Sequence, residues 1–243
     1  NTVITNNNKN TASSNTVTIE AKNEDDKVEV KLDNVNIDTS KQNKAAVSVT
    51  GSGDTTIELD GSNTLKSGNG HAGLEHNKTD TSGELTIQDN NKDGGSLKAA
   101  GGQFGAGIGG AGVNDAQVKI TGGKITATGG EYGAGIGGGF KGSGDVTITG
   151  SGSLKAEIGD NKDNYNDNAK IGSHEDEDMS GNIHITGSAT VTTEDDGEDD
   201  FYGDGAGIGS GYNGNMSGSI TIDENAKVNA FSQEDGAGIG SGE

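Results

Sequence analysis

Gly105-Ala106-Gly107-Ile108-Gly109 returns as Gly133-Ala134-Gly135-Ile136-Gly137, and again at residues 205–209 and 236–240. Weaker copies are His71-Ala72-Gly73-Leu74 and Ala169-Lys170-Ile171-Gly172. The aliphatic positions Leu74, Ile108, Ile136, Ile171, Ile208 and Ile239 are therefore 34, 28, 35, 37 and 31 residues apart. Self-similarity on this scale is the signature of a repeat architecture.

Two further strings lie between the copies. The first alternates as a strand does: Leu85-Thr86-Ile87, Val118-Lys119-Ile120, Val146-Thr147-Ile148, Ile183-His184-Ile185 and Ile220-Thr221-Ile222. The second follows a polar turn and centres on Leu97, Ile125, Leu154, Val191 and Val228. Ile57-Glu58-Leu59 followed by Leu65 fits the same spacing. Period-2 alternation marks strands, and no 3.6 period competes with it. A unit of this size with three strands cannot bury its own apolar face, so the units must stack. The expected fold is all-β: a right-handed parallel β-helix, or β-solenoid, with three short strands per turn and about seven turns. Its handedness follows from the general preference of parallel crossovers. At the ordinary strand spacing the rod would be about 35 Å long.

Residues 1–243 are read as a single domain. Val17-Thr18-Ile19, residues 28–32, Val35-Asn36-Ile37 and residues 45–49 still alternate, so residues 1–50 are expected to form irregular N-terminal turns. Residues 51–243 carry the Gly-rich repeats, and the array is expected to continue beyond Glu243.

Composition narrows the function. The chain has 45 Gly and no Pro, Cys or Trp. Its 17 basic residues are all Lys, against 38 carboxylates, for a net charge of -21. Such a charge argues against nucleic acid and anionic membrane as partners, which require basic patches. It favours cations and hydroxyl-rich ligands. A hydrophobic content of 27% would suit a disordered chain, but a repeat array needs less core per residue. No apolar run reaches 18 residues, so no membrane-inserting segment is expected.

In the Gly-Ala-Gly-Ile-Gly copies alternation sends Ala and Ile inward and Gly outward. Two readings stay open: tight corners that need positive φ, or a bare strip on which a loop, another chain or a sugar ring lies flat.

Asp89-Asn90-Asn91-Lys92-Asp93-Gly94 sets oxygen ligands at alternate positions of a tight loop, which suits calcium. A complete EF-hand loop is excluded because its twelfth position is Ala100. Acidic insertions at 160–168, 175–178 and 194–200, including Asp195 and Asp196, would stack at corners and repel one another unless cations intervene. The candidate metal ligands are thus Asp89, Asn91, Asp93, Asp195 and Asp196, and a solvated acidic edge is the competing reading. Phe104, Tyr132 and Tyr202 precede Gly-Ala-Gly-Ile-Gly copies, while Phe140 and Tyr212 each lie four residues after the Ile of a copy. These five are the candidate carbohydrate platforms, arranged as two exposed ladders. The alternative is that they stack on each other over the core.

The order Ile57-Glu58-Leu59-Asp60-Gly61-Ser62-Asn63-Thr64-Leu65, then His71-Ala72-Gly73-Leu74-Glu75, then the Gly-Ala-Gly-Ile-Gly copies, resembles the Gly-rich β-helix modules of Firmicutes surface proteins. The resemblance covers roughly residues 28–243. It implies a right-handed β-helix on a Gram-positive cell surface that binds carbohydrate, including acidic plant polysaccharides, with calcium. No binding residue carries over by position. Pectin-degrading lyases and esterases of β-helix fold rely on Arg, which this chain lacks, and no catalytic set emerges among its four His, so no enzymatic activity is expected. His184 replaces an outward Thr or Lys and reads as a surface residue.

The expected function is an extracellular binding module or adhesin that recognises a polysaccharide or host glycan. A structural spacer, or a module that binds a host protein, is the alternative.

Overall fold

The computed structural model describes residues 2–159, 167–194, 203–232 and 235–243. Among them there is no helix, as expected where Gly is frequent and β-branched residues fill the alternating strings.

Each turn visits three parallel sheets in the order A, B, C. The first turn gives β1 (Thr2–Thr5) to A and β2 (Val17–Ala21) to C, and Ser13 bridges to Ile37 where a strand of B would lie. The second turn gives β3 (Lys27–Asp33), β4 (Asn36–Asp38) and β5 (Val47–Gly51). The third gives β6 (Asp54–Asp60), β7 (Ser62–Lys66) and β8 (Leu74–Glu75). The fourth gives β9 (Leu85–Gln88), β10 (Ser96–Ala100) and β11 (Ile108–Gly109). The fifth gives β12 (Ala116–Ile120), β13 (Lys124–Thr128) and β14 (Ile136–Gly137). The sixth gives β15 (Gly144–Ile148), β16 (Ser153–Glu157) and β17 (Ile171–Gly172). The seventh gives β18 (Asn182–Ile185), β19 (Thr190–Thr193) and β20 (Ile208–Gly209). The last gives β21 (Ser219–Ile222), β22 (Lys227–Asn229) and β23 (Ile239–Gly240). Seven turns thus carry a strand in all three sheets, and the chain is the β-solenoid that its repeats predict.

Strands pair in register with their copies one turn away. Leu74, Ile108, Ile136, Ile171, Ile208 and Ile239 form one ladder. Leu97, Ile125, Leu154, Val191 and Val228 form a second. Val118, Val146, Ile183 and Ile220 form a third. Their inner members are buried and merge into one core. Burying each such side chain contributes roughly 1.5–3 kcal/mol.

Residues before 50 join the same three sheets, since β2 pairs with β5 and β3 with β6. Their irregularity is confined to loops and to the first turn. There the Asn6 amide stands in for a strand backbone: its Nδ2 donates to the Asn36 carbonyl at 2.8 Å, and the Asn36 N–H donates to its Oδ1 at 3.0 Å.

The Gly-rich copies bend the chain after sheet C. In each of five turns the Ala N–H donates to the carbonyl four residues on, from Ala106 to Gly110 at 3.0 Å and from Ala134 to Gly138 at 3.1 Å, with the same clip at Ala169, Ala206 and Ala237. Gly137 holds φ at +135°, and a Cβ there would lie 2.2 Å from the Gly172 carbonyl oxygen. A Cβ on Gly107 would lie 2.5 Å from the Gly135 oxygen and 2.6 Å from the Thr128 nitrogen. The outward Gly positions of the copies up to Gly209 are therefore buried. The end of the next turn's sheet-B strand already lies against them, so no bare strip remains for a sugar ring.

Candidate ligand-binding surfaces

The outer face of sheet B is unlike the rest of the molecule. Its outward positions carry Lys66, Lys98, Lys124, Lys155 and Lys227 against only Asp38 and Glu157. Sheet A carries the reverse, with Lys27, Lys31 and Lys119 against Glu29, Asp33, Asp54, Glu58, Asp60 and Asp145. The lysines arise from one pattern: each directly flanks an inward aliphatic residue, as in Leu65-Lys66, Leu97-Lys98 and Leu154-Lys155. Stacking puts Thr64, Lys98, Thr126 and Lys155 in one row across successive turns. Lys66, Ala100, Thr128 and Glu157 form the neighbouring row.

Lys155 is bound by Glu157 and by Glu194, the latter at 2.5 Å. Lys66, Lys98 and Lys124 are exposed and make no ion pair among the described residues. Two hollows of about 410 and 570 Å³ adjoin on this face and share Lys66, Ala100 and Thr128. The larger continues around the bend toward sheet C, past Asn69, Gln103 and Glu131. The result is a shallow trough lined by hydroxyls, amides and ammonium groups, with the carboxylates of Glu131 and Glu157 toward its far end. A polymer lying along the stack would meet Thr and Lys alternately along the first row.

The predicted aromatic platforms sit elsewhere. Phe104 and Tyr132 occupy equivalent places in successive turns and stack at 5.3 Å with 14° between planes. Phe140 meets both edge-on, at 5.4 and 6.2 Å, and His174 packs against Phe140 at 4.7 Å. The rings form one half-buried cluster rather than two exposed ladders, because the four-residue offsets before and after Ile136 converge on one corner. Tyr212 is half-buried one turn beyond His174, with its backbone tied to Asp167 and Asp176. Tyr202, Asp195 and Asp196 lie outside the described residues.

Asp89, Asn91 and Asp93 follow β9 and reach back to the previous turn. Asn91 Nδ2 donates to Asp60 Oδ1 at 2.5 Å and to Asp93 Oδ2 at 3.1 Å. Lys31 Nζ lies 2.6 Å from Asp60 Oδ2. Its hydrogen bond holds the Asp60 carboxyl at about 2, well below the usual range, and the Asp60 carboxylate beside Asp93 pushes Asp93 up. Asp89 Oδ1 is buried without a hydrogen-bond partner. An orphaned carboxylate oxygen is a ligand of the type calcium takes, but Asp60, Asp89 and Asp93 do not bring oxygens within 4.8 Å of one another. Among the described residues Asp204, Asp235 and Glu243 do bring oxygens within 4.8 Å of one another.

The four histidines divide by environment. His71 Nδ1 meets Glu75 Oε2 at 2.6 Å, and His184 Nε2 meets Asp223 Oδ2 at 3.2 Å on the surface. Both ring nitrogens of the buried His76 face backbone carbonyls. His174 alone among them has a buried ring nitrogen with no hydrogen-bond partner. It gave no signal in the sequence, because its neighbours converge through the stack and not through spacing along the chain.

Comparison with known proteins agrees with this architecture. Residues 118–140, 183–212 and 220–243 match a family model described as a beta helix repeat. The module is a parallel β-helix. The matched segments begin at Val118, Ile183 and Ile220, all on one inward ladder, and each runs through sheets A, B and C. No curated protein and no solved structure matches the chain.

Proposed function

We propose that this β-helix is an extracellular glycan-binding module of a bacterial surface protein, and that sheet B is its binding face. The observation that carries the reading is the group of exposed lysines, Lys66, Lys98 and Lys124, on successive strands of one face of a chain whose net charge is -21. A surface that concentrates ammonium groups among Thr and Ser hydroxyls suits a hydroxyl-rich polymer bearing carboxylates. Lys supplies charge-assisted hydrogen bonds to such groups, and the regular turn spacing supplies avidity along the polymer. The surrounding acidic faces would repel the same polymer, which confines it to sheet B.

Calcium is proposed as an accessory. Asp89, Asn91 and Asp93 would hold it with Asp60, and it would neutralise carboxylates and stiffen the loop between sheets A and B.

Affinity electrophoresis against polygalacturonate and a neutral xylan, with and without chelator, tests the reading. The expected result is retardation by the acidic polymer that weakens as salt rises. Equal indifference to both polymers, together with capture of a host protein by the same face, would favour the adhesin-type alternative. Retardation by the neutral polymer alone would remove the role assigned to the lysines.

A further inference from the structure

The third turn departs from the glycine pattern of the sheet-C corner at two places. Where later copies carry Gly105, Gly133, Gly205 and Gly236, it carries His71. Where later copies carry Gly109, Gly137, Gly172, Gly209 and Gly240, all at positive φ, it carries Glu75. A Cβ on Gly109 would lie 2.3 Å from the Gly137 carbonyl oxygen. The backbone at Glu75 has no positive φ, and its side chain reaches back to Ser48 in the turn below.

The two departures meet. His71 Nδ1 lies 2.6 Å from Glu75 Oε2, and Ser48 Oγ donates to Glu75 Oε1 at 3.4 Å. Glu75 is only 7% exposed, and a charge so covered needs a partner. A carboxylate accepts, so the His71 Nδ1 carries the proton and Nε2 holds the lone pair. Nε2 makes no hydrogen bond to a described residue, and the ring borders a hollow of about 220 Å³ on the outer face of sheet C. Thr18, Ser48 and Glu75 are register neighbours in successive turns and form one wall of it. Val17 and Ala45 add apolar atoms, and Lys44 stands at the solvent side without an ion pair among the described residues.

We infer that this hollow binds one neutral sugar residue, a chain end or branch, through His71 Nε2. A hydroxyl both donates and accepts. One sugar hydroxyl can give its proton to Nε2 while its neighbours accept from Lys44 and Thr18. A carboxylate has no proton for Nε2 and would face the Glu75 carboxylate. The volume lies below the roughly 300 Å³ at which pockets for drug-sized molecules begin, so it admits a single ring and not a length of chain. The hollow also adjoins the sheet-B trough: the turn closed by the His71 N–H donating to the Gly68 carbonyl carries Asn69 into the trough and His71 into the hollow. The inference rests on the glycan reading above and adds a neutral residue recognised beside the acidic polymer.

The test is long-range ¹H–¹⁵N NMR of the imidazoles while the whole chain is titrated with methyl β-D-galactopyranoside, methyl β-D-xylopyranoside and, separately, D-galacturonate. At least one neutral glycoside should move the His71 Nε2 resonance while Nδ1 stays protonated and His76, His174 and His184 stay in place. Galacturonate should bind there at least tenfold more weakly. His71→Gln and Glu75→Gln should each weaken the neutral glycoside at least tenfold, and Lys66→Ala with Lys98→Ala should leave the His71 response intact. If Glu75→Gln does not fold, the wild-type resonance and His71→Gln, at a part-exposed ring, decide the matter. A His71 resonance unmoved by both neutral glycosides, a preference for galacturonate, or affinity unaltered by His71→Gln would overturn the assignment. Retardation by polygalacturonate alongside an unmoved His71 would remove this site alone, whereas a responding His71 without that retardation would remove the sheet-B reading alone.

Discussion

The glycine corner after sheet C and the lysine face of sheet B are built from the same repeat, yet they do opposite things. At the corner, backbone packs on backbone: Gly107, Gly109, Gly135 and Gly137 are buried, and added side chains would strike carbonyls of the next turn. On sheet B, Lys66, Lys98 and Lys124 stand in solvent. The string that recurs most faithfully is therefore the one with no room for a ligand. Recurrence there reflects a steric condition that every turn must meet. The face free of that condition carries the chemical asymmetry of the molecule.

The largest test of this contrast is Gly137→Val. Positive φ and the close Gly172 carbonyl act together, so the change should cost more than about 4 kcal/mol or prevent folding. Gly70→Ala separates the two causes. Gly70 has φ of +80° but nothing within 4 Å of a built Cβ, so only about 1 kcal/mol should be lost. Thermal unfolding followed by circular dichroism would measure both, and equal losses would show that packing against the next turn adds nothing.

An intermediate effect concerns pH. Burial lowers His174 to about 4, whereas an unfolded His titrates near 6.5. Between those values the unfolded chain binds the extra proton, so its contribution to stability is full above about 6.5 and falls as pH drops toward about 4. The loss is on the order of 3 kcal/mol. Asp167 and Glu175, both raised by burial, act in the opposite sense from their ordinary values upward and so offset part of that fall. Stability measured at pH 7 and pH 4.5 in wild type and His174→Gln isolates the His term, and the variant should show the shallower fall. The double change Lys66→Ala/Lys98→Ala on sheet B should leave that fall unaltered.

The smallest expected effect lies on the face. Lys66→Glu with Lys98→Glu should weaken acidic-glycan binding about tenfold or more, equivalent to roughly 1.4 kcal/mol. Melting should stay within about 0.5 kcal/mol of wild type, because both side chains are exposed and unpaired among the described residues. The charge-matched change Lys27→Glu on sheet A should not alter binding. Equal loss from the sheet-A change would mean that net charge governs attraction, with no role for the particular face.

Much of the architecture was legible before folding was considered. Period-2 strings fix which side chains point inward, and the 28- to 37-residue recurrence fixes which of them stack, so Ile108 over Ile136 and Leu97 beside Ile125 follow directly. The alternating strings near residues 17, 28, 35 and 47 also fall in β2 to β5. The lysine face was written in the sequence as well, since each Lys flanks an inward aliphatic position. Its meaning emerges only when seven sheet-B strands are laid side by side and compared with sheet A.

Other features were settled by three-dimensional placement. Alternation says that Gly107 points outward, but not that Thr128 of the next turn lies against it. Spacing separates Phe104, Tyr132 and Phe140 into two sets, while the corner geometry merges them into one cluster with His174. The orphaned Nε2 of His174 and the orphaned Oδ1 of Asp89 are facts about burial. Periodicity along a chain determines direction and register because those depend on covalent geometry. Which groups become covered, paired or stranded depends on what neighbouring turns place over them, and only the folded stack decides that.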